Sequence, residues 1–302
     1  MKNWIKKLGL TTLAAGLLTG LGATSAFAQE TVTVGIVSGP AEEIWQIVVD
    51  AAAEEDIEIE LELFTDYNQP NVALQNGSLD LNAFQHVAFL EDWNESNDGT
   101  LAPLGFTFVS PMGTYSDKIS SLDELQDGDV IAIPNDPTNG GRAILALEIA
   151  GVIEVDDAAG ALVTPEDITD NPLNLKFEEL DAAQLAVVLP DVAAAIINTN
   201  FATDAGLSLK DAIFVDADYP DQLNELYKNV IAATEETKDN ETLARIVELY
   251  QTEEVAQAIY DLSNGGDKPI WEGAPVFGDD EATDSEEAEE SETTEESEAD
   301  SE

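Results

Sequence analysis

The chain has 302 residues, 44% of them hydrophobic, with 63 Asp and Glu against 11 Lys and Arg and a formal net charge of −52. The apolar content is enough for a buried core, and the length accommodates one large domain or two moderate ones. The charge excludes nucleic acid and anionic lipid as partners, which are held by clustered cations; the lack of cysteine excludes disulfides, thiolate metal sites, cysteine nucleophiles and lipid attachment through a thiol.

The N-terminus reads as a secretory signal over residues 1–28. Lys2, Lys6 and Lys7 open it, an apolar run spans 8–21, and Ala26-Phe27-Ala28 places small residues where a signal peptidase cuts. The apolar run is short for a membrane anchor, so the mature chain is expected to begin at Gln29. ETVTVGIV then alternates as a strand, with a turn over 35–40. Residues 42–55 predict a helix with Ile44, Ile47, Val48 and Ala51 on one face. IEIELELF is a second alternating strand, and residues 70–76 suit a short helix ended by Gly77. Strand–helix–strand–helix order implies an α/β lobe with a largely parallel sheet.

A second unit starts near Thr107. FTFVSPMGTYS is extended, Ser120 or Ser121 caps a short helix, and VIAIP is a buried strand. A helix is predicted over 141–151, strands at LKFEEL, AAAIIN and NVIAAT, and two amphipathic helices at TLARIVELYQ and EEVAQAIYDLSNGG. Residues 278–302 contain no large apolar and no basic residue, so this acidic tail cannot offset the entropy of ordering and is expected to be disordered. A chain this acidic repels itself at low salt, which predicts a saline habitat; the alternative is simply an acidic extracellular protein. Two α/β units with crossing strands and an export signal point to a bilobed receptor with its ligand in the cleft.

The chemistry-bearing motifs argue against catalysis. There is no GxSxG elbow, P-loop or HExxH, and the single histidine, His86, cannot build a multi-histidine metal site. No metal or cofactor is expected. DADYPD, residues 216–221, has spaced carboxylates but lacks the glycine and distal glutamate of a calcium loop, and reads as a solvated loop. The body holds two arginines. Arg245 lies among charged helical neighbours and reads as exposed, whereas Arg142 follows a strand in PNDPTNGGRAI, where a helix start favours an anion.

Three long stretches, FTDYNQPNVALQNGSLDLNAFQHVAFL, TYSDKISSLDELQDGDVIAIPNDPTNGGRAILALEIAGVI and INTNFATDAGLSLKDAIF, with weaker matches at KNVIAAT and SNGGDKPIW, cover the body in order. They resemble the NlpA/MetQ family, the substrate-binding proteins of methionine ABC importers. The resemblance implies a bilobed periplasmic-binding-protein-like α/β fold, two lobes with mixed sheets and a ligand cleft between them. Lobe one would take residues 29–112 and 227–277, and lobe two 113–226. It implies a side-chain pocket of Tyr67, Phe84, His86 and Phe89, a clamp of Asn139 and Arg142 with Arg142 on the ligand carboxylate, and Asn198 and Asn229 at the amino-acid end. The three rings would pack on a thioether and His86 would supply a polar tip.

The chain departs from that pattern at three places. Phe89 stands where many members have tyrosine, QLAVVL replaces a QLPR stretch, and the lipid-bearing cysteine is missing. The expected function is therefore a monomeric, soluble periplasmic receptor binding L-methionine or a similar amino acid for a membrane permease with its cytoplasmic ATPase. D-methionine, another apolar amino acid or a short peptide are alternative ligands. A carboxylate-dependent hydrolase and an acidic adhesin working through the tail are the rival classes.

Overall fold

The computed structural model describes residues 30–216 and 225–277. The predicted signal segment, the acidic tail and the part of DADYPD after Asp216 lie outside the described residues. No described helix is long and apolar enough to cross a membrane.

The chain runs β1 (Glu30–Val37), α1 (Ala41–Ala53), β2 (Ile57–Phe64), α2 (Pro70–Gln75), β3 (Leu81–His86), α3 (Val87–Asn97), β4 (Leu101–Phe106), β5 (Phe108–Val109) and β6 (Gly113–Tyr115). It continues through β7 (Val130–Pro134), α4 (Pro137–Ile149), β8 (Glu154–Val155), β9 (Ile168–Asp170), β10 (Lys176–Leu180), α5 (Leu185–Val188), β11 (Ala194–Ile197) and α6 (Thr199–Asp204). It ends with β12 (Phe214–Val215), β13 (Asn229–Thr234), α7 (Glu241–Tyr250), α8 (Glu253–Leu262) and β14 (Lys268–Pro269).

Two five-stranded sheets organise these elements, in the orders β2-β1-β3-β13-β4 and β10-β7-β11-β6-β12. Each is mixed. β1 pairs in parallel with β2 and β3, while β13 is antiparallel to both β3 and β4. In the second sheet β7 is parallel to β10 and β11, and β6 is antiparallel to β11 and β12. The largely parallel sheet expected from element order holds for four of the five strands of the first sheet; the exception is β13, which returns from the far end of the sequence and inserts antiparallel between β3 and β4.

The first lobe's core forms where α1, α7 and α8 cover the sheet. Ile44, Trp45, Val48 and Ala52 are the buried face of α1, with Trp45 set against Tyr250 (ring centroids 5.1 Å) and Tyr250 against Trp271 (6.1 Å). The predicted stripe was offset: Ile47 and Ala51 are only partly buried, and Trp45 and Ala52 take the centre. β1 also runs on to Val37, so the turn is shorter than the predicted 35–40.

α4 begins at Pro137, four residues before the predicted start. Asp136 caps it through the Asn139 amide (2.9 Å), and proline fills the first turn, where its missing N–H costs nothing. The glycine pair allows a tight approach. A Cβ on Gly140 would stand 2.7 Å from the Pro134 carbonyl oxygen, and one on Gly141 2.4 Å from that of Ala161. The helix start is thereby pressed against backbone, and Asn139 and Arg142 are aimed from it.

Candidate functional site

The lobes meet through polar bonds around one cavity. The Tyr67 hydroxyl donates to Asn200 Oδ1 (2.5 Å), Asn200 Nδ2 to the Ser38 carbonyl (3.3 Å), and Asn68 Nδ2 to Asp181 Oδ2 (2.8 Å). An apolar cluster also crosses the junction, with Val37, Phe64 and Leu90 from one side and Leu185, Leu189 and Phe201 from the other. The cavity they enclose has an accessible volume of about 90 Å³.

All eight residues singled out in the sequence line this cavity: Tyr67, Phe84, His86, Phe89, Asn139, Arg142, Asn198 and Asn229. The rings form a continuous wall. Phe84 meets Phe89 edge-on (5.7 Å), and Tyr67 touches Phe84 (5.7 Å) and Phe89 (6.0 Å). Phe201, which sequence reasoning missed, closes on Tyr67 at 4.9 Å from the other lobe. With phenylalanine at position 89, the hydroxyl of this wall comes from Tyr67, and that hydroxyl is bound to Asn200. Such a surface suits an apolar or thioether side chain.

His86 has two structural tasks. Its Nδ1 accepts from the Phe89 amide (3.1 Å) and so caps α3, which places the proton on Nε2. Nε2 then donates to Asn139 Oδ1 (3.3 Å) across the cleft. Burial first, and the nearby Arg142 guanidinium second, push the imidazole down to about 3, so it is neutral at physiological pH. As the chain's single histidine it reports unambiguously in nitrogen-detected NMR. We expect an Nε2–H tautomer with no titration between pH 8 and pH 5; a midpoint near 6.5 would contradict this geometry.

The rest of NAFQH is explained by a buried amide triad. Asn71 Nδ2 donates to Gln85 Oε1 (2.7 Å), Gln85 Nε2 to Asn71 Oδ1 (2.7 Å) and to Asn82 Oδ1 (3.0 Å), and Asn82 Nδ2 to Asn71 Oδ1 (2.8 Å). This network ties α2 to β3 and fixes the strand that presents Phe84 and His86. Three buried amides are tolerated because they satisfy one another.

Asn139 acts as a brace. Its Oδ1 accepts from His86 Nε2 and from Asn198 Nδ2 (2.9 Å), and its Nδ2 donates to both Asp136 oxygens (3.1 and 3.0 Å). Asn198 is different. Its Oδ1 is buried and has no hydrogen-bond partner in the protein, an orphan acceptor at the cavity wall. Asn229 lies opposite His86 in the β3–β13 ladder and donates from Nδ2 to the Phe108 carbonyl (3.1 Å).

Arg142 is buried and held from three sides. Nε donates to Asp216 Oδ2 (2.7 Å), Nη2 to the Ser110 carbonyl (2.7 Å), and the guanidinium lies over the Tyr227 ring (4.6 Å). Asp216 is itself buried and accepts from the Met112 amide (2.7 Å). The solvated-loop reading is therefore corrected at Asp216: it anchors the arginine. A guanidinium has five N–H donors in a rigid fork, so these two bonds orient it while the remaining edge can take an anion. Arg245 instead pairs with Glu55 and Glu248 on the exposed face of α7, as expected.

Two α/β lobes closed over a cavity with an aromatic wall at one end and an oriented arginine at the other define a bilobed solute-binding protein. The comparisons make the family specific. The NlpA lipoprotein family model matches residues 32–271, and the chain belongs to that family. It is 41% identical over 271 residues to the D-methionine-binding lipoprotein MetQ of Salmonella typhimurium, covering 86% of this chain and 98% of the relative. It is 44% identical over 229 residues to outer membrane lipoprotein 3 of Mannheimia haemolytica, covering 75% and 85%. Among solved structures, the methionine binding protein MetQ superposes with a TM-score of 0.76 at 40% identity, covering 80% of this chain and 98% of that one. A nutrient binding protein from Burkholderia cenocepacia bound to methionine gives 0.76 at 40%, covering 80% and 100%.

Proposed function

We propose that this chain is the extracytoplasmic receptor of a methionine ABC importer, which binds L-methionine or a closely related amino acid between its lobes and presents it to a membrane permease coupled to an ATPase. The observation that carries the reading is the convergence of all eight motif residues on one closed cavity, in a chain 40% identical to a protein seen with methionine bound. In this reading Tyr67, Phe84, His86 and Phe89 enclose the side chain, Arg142 takes the carboxylate, and Asn198 and Asn229 hold the amino-acid end. Asn139 keeps the lobes in register. Lobe one comprises residues 29–112 and 227–277, and lobe two 113–226, a division supported by the membership of the two sheets.

Residues 1–28 direct export, and the receptor works as a soluble periplasmic monomer. Its relatives are called lipoproteins, whereas this sequence offers no thiol for a lipid. Denaturing the purified protein and identifying the released small molecule by mass spectrometry tests the ligand. Methionine in near-equimolar amount is expected; a different stoichiometric ligand would overturn the assignment.

The net charge of −52 belongs to a protein adapted to salt. Melting temperature should climb steadily as KCl is raised from low millimolar to molar, because counter-ions screen the self-repulsion. A flat or falling curve would remove the case for a saline habitat.

A further inference from the structure

Besides the arginine, the cavity presents one carboxylate. Among the described residues that line it, Arg142 is the only arginine or lysine and Asp267 the only acidic residue. Asp267 lies in the turn after α8, in SNGGDKPIW, and is 7% exposed. Its backbone amide donates to Ser263 Oγ (2.8 Å), which fixes the turn, and β14 pairs with β5, which brings the carboxylate beside Ser110.

Ser110 couples the two charged groups. Its hydroxyl donates to Asp267 Oδ1 (2.5 Å) and its carbonyl accepts from Arg142 Nη2 (2.7 Å). A single residue thus holds an anion-binding group on one side and a cation-binding group on the other. The orphan Asn198 Oδ1 lines the same cavity as a second acceptor. Burying a carboxylate is costly, and the bond from Ser110 meets only part of that cost. A ligand that brings a positive charge into the cavity would offset the remainder.

We propose that Asp267 is a specificity-determining residue of the cleft, which recognises the primary ammonium of the ligand and so restricts the site to zwitterionic amino acids. The inference rests on the reading of the cleft as an amino-acid site and deepens it. Asp267 lies outside the residue set that the motifs identified, and its role follows from the cavity's charge pattern. Arginine at one place and aspartate at another, one residue apart through Ser110, match the carboxylate and ammonium that flank a single α-carbon. An N-acylated or deaminated analogue would leave the aspartate with its Ser110 hydrogen bond and no cation from the ligand.

The test is a cycle between protein and ligand. Titration calorimetry compares the wild-type mature chain with Asp267→Asn, each against L-methionine and against its deaminated analogue, 4-(methylthio)butanoate. Asparagine retains an acceptor for Ser110, and circular dichroism confirms that the variant folds. The expected result is roughly 30-fold or more weaker binding of L-methionine by the variant, with the analogue's affinity unchanged between the two proteins. Equal losses for both ligands, or no loss for either, overturn the ammonium contact while leaving the methionine receptor standing. If the wild type binds neither compound, the methionine reading itself fails and this inference with it.

Discussion

Replacing Arg142 with alanine should abolish measurable methionine binding and destabilise the fold at the same time. Both effects come from one geometry. The guanidinium is the cavity's only permanent cation among the described residues that line it, and a carboxylate ligand has no equivalent donor to turn to. Its loss also strands Asp216, which is buried and accepts from the Met112 amide on its other oxygen. Breaking a buried ion pair by removing one partner typically costs about 3–5 kcal/mol, which for a chain of this length lowers Tm by roughly 10 °C. The two effects can be separated. Arg142→Met combined with Asp216→Leu removes the stranded charge and should recover most of the stability, because a well-packed apolar pair often replaces a buried ion pair without loss. Binding should stay absent. If affinity returned with stability, Arg142 would be scaffolding, and the carboxylate would have to be held elsewhere.

Asp267→Asn should stabilise the ligand-free protein strongly at pH 8 and much less at pH 5. Burial, only partly opposed by the Ser110 hydrogen bond and by Lys268, raises the Asp267 carboxyl from 3.8 to about 7. The folded state therefore keeps a proton that the unfolded chain has released. Such a group costs nothing below the unfolded value near 3.8; stability then falls as pH rises, until the folded carboxyl ionises near 7. Three units correspond to at most about 4 kcal/mol at pH 8 and less than half of that at pH 5. His86 titrates with the opposite sign. Its folded value is depressed, so the protein loses stability as pH falls below the imidazole's ordinary range. Comparing variant with wild type at each pH cancels that contribution. Chemical denaturation at the two pH values measures the difference, and equal differences at both would show that Asp267 ionises normally.

Much of the fold was legible because local pattern and tertiary role agreed. NVIAAT was read as a strand and forms β13 over the same residues, since β-branched and apolar residues there are buried. The start of α4 was not legible from periodicity. PTNGG offers no apolar spacing and two poor helix formers, and its signal is a cap and a first-turn proline. β3 and α3 escaped for a related reason: the alternation of LNAFQH is interrupted by Asn82 and Gln85, which are buried to bond each other and Asn71 rather than to face water. Mixed burial of that kind resembles neither a half-exposed strand nor an apolar core strand.

The site was legible through its motifs and less so through its chemistry. Tyr67, Phe84 and Phe89 are indistinguishable from core aromatics until the fold brings them to one wall. Arg142 stood out in the sequence as a lone arginine at a helix start, yet its anchor, Asp216, lies 74 residues away in a run of carboxylates where no single one stands out. Asp267 was hidden in the same way, in a stretch that reads as a helix stop. In a chain with 63 acidic residues, burial is what distinguishes a working carboxylate from a solvated one, and burial is set by contacts distant in sequence.

The most direct test is calorimetric titration of the mature chain with L-methionine, after unfolding and refolding at high salt to remove any ligand carried from the cell. Saturable one-to-one binding, accompanied by a rise in melting temperature as ligand is added, is the predicted result. No heat and no thermal shift would contradict the account at its centre. The family and the closed bilobed fold would remain, and the occupant of the cavity would have to be sought among other amino acids and short peptides.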